Sequence, residues 1–90
     1  MSAQILIVDD EVLIRQSLRT MLVREGFTVS IAASGREGER AFTESPPDIV
    51  LLDLVLGDAE GLDLLGMLRR QTPETKVIVI SAHGSIESAV

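Results

Sequence analysis

The sequence predicts a doubly wound α/β fold: a parallel sheet with helices on both faces. Three observations carry that expectation. Short continuous apolar runs rich in β-branched residues recur along the chain: Ile5-Leu6-Ile7-Val8, Ile49-Val50-Leu51-Leu52 and Val77-Ile78-Val79-Ile80. Stretches with the helical period of about 3.6 residues separate them. Each run also ends on an oxygen-bearing side chain, at Asp9, Asp53 and Ser81. Strands apolar at every position expect cover on both faces, which is the signature of a parallel sheet.

The elements follow in order. After Ile5–Val8, Ile14, Leu18, Met21 and Leu22 fall at i, i+4, i+7 and i+8, predicting an amphipathic helix with Arg15, Arg19 and Glu25 turned outward. Gly26 ends it. Thr28-Val29-Ser30-Ile31 alternates polar and apolar, as an edge strand does. Ser34 and Glu37 have capping-box spacing and open a second helix, whose thin apolar face is mainly Ala41 and Phe42 and which Pro46-Pro47 closes. The strand Ile49–Leu52 runs into Asp53. A loop with Gly57 and Gly61 leads to a third helix carrying Leu64, Leu65, Met67 and Leu68, with Arg69-Arg70 suiting its C-terminal dipole. Thr72-Pro73-Glu74 is a turn into the strand Val77–Ile80. Gly84-Ser85 reads as a loop and cap for a helix that barely begins.

With 90 residues the chain is one small domain at most. Its core must be aliphatic, because Phe27 and Phe42 are the only aromatic residues. The absence of cysteine excludes disulfides and thiolate metal sites and suits the cytoplasm. A net charge of −6 argues against direct nucleic-acid binding by this segment. No apolar stretch approaches the length of a membrane span, and no signal peptide is visible.

Asp9-Asp10-Glu11, Asp53 and Ser81 therefore stand at strand ends, where doubly wound sheets carry their functional groups. Carboxylates held close repel one another, and a cation relieves that repulsion. An oxygen-only ligand set favours a hard divalent ion such as Mg²⁺. One carboxylate can then act as nucleophile toward phosphorus. Each Asp taken singly also has a bland reading, Asp10 as a helix cap and Asp53 as a turn residue. Three coincidences at three strand ends are harder to accept. Asp58, Glu60 and the lone histidine, His83, read as solvated loop groups.

The runs Ile5-Leu6-Ile7-Val8-Asp9-Asp10-Glu11, Asp48-Ile49-Val50-Leu51-Leu52-Asp53-Leu54 and Val77-Ile78-Val79-Ile80-Ser81-Ala82-His83-Gly84 resemble the receiver domain of bacterial two-component response regulators. The order and spacing match over the entire chain. The resemblance implies a flavodoxin-like three-layer sandwich with strands ordered 2-1-3-4. It also implies a domain covering 1–90 that is incomplete at its C-terminus, lacking the fifth strand, its Lys and switch aromatic, and the last helix. It makes Asp53 the phosphoacceptor, Asp10 the main Mg²⁺ ligand with Asp9 supporting through water or hydrogen bonds, and the Val55 carbonyl a further ligand. Ser81 would bond the phosphoryl group and act as a switch. The implied partners are a sensor histidine kinase and an output domain in a longer parent chain. The expected role is transcription regulation, as a signalling domain rather than an enzyme, with weak self-catalysed phosphotransfer and dephosphorylation only in the complete domain. Ser81-Ala82-His83-Gly84-Ser85-Ile86-Glu87 is similar to receivers of nitrogen-regulation activators, which carry ATPase and DNA-binding domains. The loop Leu56-Gly57-Asp58-Ala59-Glu60-Gly61 departs from the family's usual Pro-Gly pair.

Two rivals lack their signatures. A haloacid-dehalogenase-type phosphatase needs a second Asp where Val55 stands, and a nucleotide-binding fold needs a glycine-rich turn where Asp9-Asp10-Glu11 stands. A pseudo-receiver serving as an interaction or dimerisation module is the alternative. An apolar fourth strand left at the sheet edge predicts a homodimer.

Overall fold

The computed structural model describes residues 2–56, 61–80 and 86–88, the last three as backbone only. The elements are β1 (Gln4–Val8), α1 (Val12–Arg24), β2 (Thr28–Ala32), α2 (Gly35–Glu44), β3 (Ile49–Asp53), α3 (Gly61–Gln71), β4 (Lys76–Ile80) and β5 (Ile86–Ser88). β1 to β4 pair in parallel in the order 2-1-3-4. The chain winds outward from β1 to β2, then crosses back over β1 to β3. That reversal opens a crevice at the carboxyl ends of β1 and β3.

Register and pleat divide the strands between two faces. Leu6, Val50 and Val77 share one level, and Val8, Leu52 and Val79 share another two residues on. Leu6, Val8, Val50, Leu52 and Val77 join Ala32, Phe42, Leu64 and Leu68 in the principal core, beneath α2 and α3. Leu64 and Leu68 are one helical turn apart, so both point at the sheet. Ile5 and Ile7 lie on the opposite face, where α1 packs on β1 and β2.

Local signals act as expected at several element ends. Gly26 has φ +97°, and the Gly26 and Phe27 N–H groups donate to the Val23 and Leu22 carbonyls in a Schellman closure of α1. The Ser34 hydroxyl accepts from Glu37 N–H at 3.1 Å, while the Glu37 carboxylate accepts from Ala33 N–H at 2.6 Å. The Glu37 side chain thus reaches one residue further back than a standard capping box. Thr75 N–H donates to the Thr72 carbonyl and closes the turn into β4.

Three expectations are corrected. α1 buries none of its residues fully: Ile14, Leu18 and Leu22 are half-buried and Met21 is 55% exposed. Among the described residues α1 is the only helix on its face, so its stripe has cover from one side only. Arg15, expected outward, is half-buried. Ile86–Ser88, expected to start a helix, forms a short antiparallel strand against Ile78–Ile80. The four parallel strands keep their expected order, and β5 satisfies part of the open edge of β4.

Candidate functional site

The crevice is built from the two central strand ends. Val8 and Leu52 are partners in register, so the next residues, Asp9 and Asp53, emerge side by side. One ligand oxygen from each of Asp9, Asp10 and Asp53 lies within 4.8 Å of the others. Asp9 and Asp53 are buried and Asp10 is exposed. The site thus has a buried floor and a solvent-facing acidic rim.

Hydrogen bonds hold these groups in place. Asp9 N–H donates to the Ala32 carbonyl at 3.1 Å, and Asp9 Oδ1 accepts from Glu11 N–H at 2.8 Å. Asp53 Oδ1 accepts from Val55 N–H at 2.9 Å. Each carboxylate therefore closes a turn two residues long, fixing its own rotation and bending the chain away from the sheet. Asp10 is not the helix cap: Glu11 occupies that position, with no side-chain hydrogen bond to the helix end.

Asp9 Oδ2 is fully buried and has no hydrogen-bond partner among the described residues. Such an oxygen carries a desolvation penalty that no described residue offsets. Burial accordingly pushes the Asp9 carboxyl above the usual carboxylate range. Repulsion from Asp53, Glu11 and Asp10 adds to the rise, and the Glu11 N–H bond partly opposes it. A hard cation suits this donor set: all ligands are oxygen, and one of them lacks any other partner among the described residues.

Two residues outside the expected site reach it. Arg15 Nη1 donates to the Asp9 backbone carbonyl at 2.8 Å. Its sequence signal is spacing alone, one helical turn beyond Glu11. Gly61 starts α3 against the end of β3, its N–H donating to the Leu54 carbonyl at 3.0 Å. A Cβ there would lie 2.4 Å from Leu54 Cα and 2.7 Å from the Asp53 carbonyl oxygen. Only glycine permits this approach. Val55 places its N–H on Asp53 and leaves its side chain 67% exposed. Ser81 follows Ile80, the register partner of Asp53, and lies outside the described residues with Gly57, Asp58, Glu60 and His83.

A parallel sheet that reverses its winding beside a pocket of strand-end carboxylates defines a class: doubly wound domains with an acidic site at the switch point. Comparison with known proteins narrows it. The family model described as "Response regulator receiver domain" matches residues 5–90. The chain is 38% identical over 87 residues to the alginate biosynthesis transcriptional regulatory protein AlgB of Pseudomonas aeruginosa, covering 97% of this chain and 19% of that protein. It is 40% identical to the alkaline phosphatase synthesis transcriptional regulatory protein SphR of Synechococcus elongatus, covering 90% of this chain and 35% of that one. Among solved structures, NtrX from Brucella abortus superposes with a TM-score of 0.86 at 38% identity, covering 93% of this chain and 19% of that one. A CheY-like receiver domain protein from Methanospirillum hungatei gives 0.86 at 36% identity, covering 94% and 68%. The chain belongs to the response regulator receiver domain family. It spans well under half the length of these curated relatives.

Proposed function

We propose that this chain is the phosphoacceptor module of a two-component response regulator and receives a phosphoryl group on Asp53. The observation that carries the proposal is the pocket of Asp9, Asp10 and Asp53, with a buried Asp9 Oδ2 that no described residue satisfies. Asp10, Asp53 and the Val55 carbonyl would hold Mg²⁺, with Asp9 supporting them from behind. Bound Mg²⁺ would neutralise charge on the phosphoryl oxygens. Val55 N–H holds the Asp53 carboxylate in one orientation. An Asp53 oxygen then forms the new O–P bond as the P–N bond to a kinase histidine breaks, and the leaving imidazole takes a proton. Ser81 would donate a hydrogen bond to the phosphoryl group and draw the following segment with it.

The partners that fit are a sensor histidine kinase and an output domain in a longer parent chain. The relatives' names as transcriptional regulatory proteins support a transcriptional output. A transcriptional output would place the chain in the cytoplasm; no helix among the described residues is long and apolar enough to cross a membrane. A homodimer paired through the edge of the apolar β4 strand is a further partner of this reading.

Labelling with acetyl phosphate tests the central reading. Label should depend on Mg²⁺ and disappear in Asp53→Asn. Undiminished label in that variant removes Asp53 from the role, and no label in the unaltered protein favours a pseudo-receiver.

A further inference from the structure

We infer that Arg15 is a positioning residue for the divalent-cation site, acting through the Asp9 carbonyl. The inference rests on the cation-binding reading above. Asp10 is exposed, and among the described residues no side-chain hydrogen bond fixes it. Its placement depends on the two peptide planes that flank it. Asp9 Oδ1 holds the plane after it, through Glu11 N–H at 2.8 Å. Arg15 holds the plane before it, through the Asp9 carbonyl at 2.8 Å. With both planes held, the Asp10 backbone dihedrals are set, and its carboxylate is presented to Asp9 and Asp53 without a search.

The helix geometry delivers the guanidinium to this point. Arg15 N–H donates to the Glu11 carbonyl in the first turn of α1, at 3.1 Å. Its half-buried stem then runs back toward the helix start, as long helical side chains do. An arginine is an unexpected choice beside a cation site on charge alone, since a positive group repels a metal ion. The two effects have opposite signs. Loss of the charge strengthens cation binding, and loss of the clamp weakens it. Outer residues that orient metal ligands typically contribute about 10- to 100-fold in affinity. The clamp therefore outweighs the repulsion of a guanidinium held against a backbone oxygen at the pocket's edge.

Calorimetric titration of the full chain with MgCl₂ tests this, with thermal melts in EDTA alongside. Arg15→Met keeps the apolar stem and loses both donor and charge. Arg15→Lys keeps donor and charge. We expect Arg15→Met to weaken Mg²⁺ binding about tenfold, Arg15→Lys to recover most of that loss, and both to melt cooperatively without metal. Arg15→Met binding as tightly as the native chain, or tighter, overturns the inference in favour of simple repulsion. Arg15→Lys no better than Arg15→Met also overturns it. So does an Arg15→Met chain without a cooperative melt in EDTA, which makes Arg15 a strut of the fold. Failure of the native chain to bind Mg²⁺ is a separate result, and it removes the cation site itself.

Discussion

Gly61 and Gly66 lie five residues apart on α3, and the same substitution should move stability in opposite directions at the two. At Gly61 an added Cβ meets only backbone: Leu54 Cα at 2.4 Å, the Asp53 carbonyl oxygen at 2.7 Å and the Leu54 carbonyl carbon at 3.0 Å. No side chain can rotate aside, so α3 must shift off the end of β3. Overpacking of this kind costs about 1–3 kcal/mol, with rigid backbone contacts at the upper end. The shift also stretches the Gly61 N–H bond to Leu54, worth about 1 kcal/mol. Alanine returns about 0.5–1 kcal/mol by restricting the unfolded chain. The net loss for Gly61→Ala is about 2–3 kcal/mol, a large share of the roughly 5–15 kcal/mol that holds a domain together. At Gly66 an added Cβ would meet only the far end of the flexible Arg70 side chain among the described residues, 3.6 Å away. Gly66→Ala should therefore gain about 0.5–1 kcal/mol from helix propensity. The chain has no Trp or Tyr, so urea titration followed by far-ultraviolet circular dichroism is the assay. With a slope of about 1 kcal/mol per M, the two midpoints should separate by roughly 3 M. Equal midpoints, or a Gly61→Ala chain more stable than native, would refute the close-approach argument.

The remaining predictions concern the acidic pocket and its switch. Because the folded-state pKa of Asp9 is raised, its contribution to stability is fully present below the ordinary carboxylate pKa and is lost as pH rises through the raised value. The metal-free chain should thus lose stability across that window, and Asp9→Asn should not; at neutral pH Asp9→Asn should be the more stable of the two, as denaturant titrations in EDTA at several pH values would show. Mg²⁺ affinity should fall more in Asp10→Ala than in Asp9→Ala, and titration calorimetry giving the reverse ranking would change the ligand assignment. If the chain acts within a longer regulator as proposed, Ser81→Ala in that regulator should still accept phosphate while transmitting it poorly, and full output in a reporter assay would contradict the proposed switch role.

The strands were the most legible part of the fold, because Ile5–Val8, Ile49–Leu52 and Val77–Ile80 are apolar on both alternating sides and only a sheet covered on both faces accommodates that. Gly26 and Ser34 declared helix ends through local chemistry that needs no tertiary context. The pairing of Asp9 with Asp53 was legible as a strand-end coincidence, and register then brings the two side by side. Arg15 was misread because a helical period sorts residues into inward and outward, and a long side chain can leave an outward-leaning position along the helix axis to reach a backbone oxygen. Met21 was misread because the period identifies an apolar stripe without showing how much partner surface it meets. Gly61 was visible as a loop glycine, whereas its contact with the β3 backbone depends on where α3 docks. The β5 strand was missed because Ile86–Ser88 is too short for any period to declare itself.

The uneven cover of the sheet bears on how the molecule opens. Cooperative units with few buried apolar groups open at lower free energy than the densely packed core, and amide exchange reports the difference. Phe42, Leu64 and Leu68 lock α2 and α3 onto their face, whereas α1 has no fully buried residue. The amides of α1 should exchange ahead of those of β1 and β3. Asp9, Asp10 and Glu11 lie between the two, joined upstream to the buried strand β1 and downstream to α1, which buries no residue fully. The acidic turn is thus a hinge between a protected half and a breathing half, and any ion that bridges Asp10 to Asp53 ties the breathing half to the protected one.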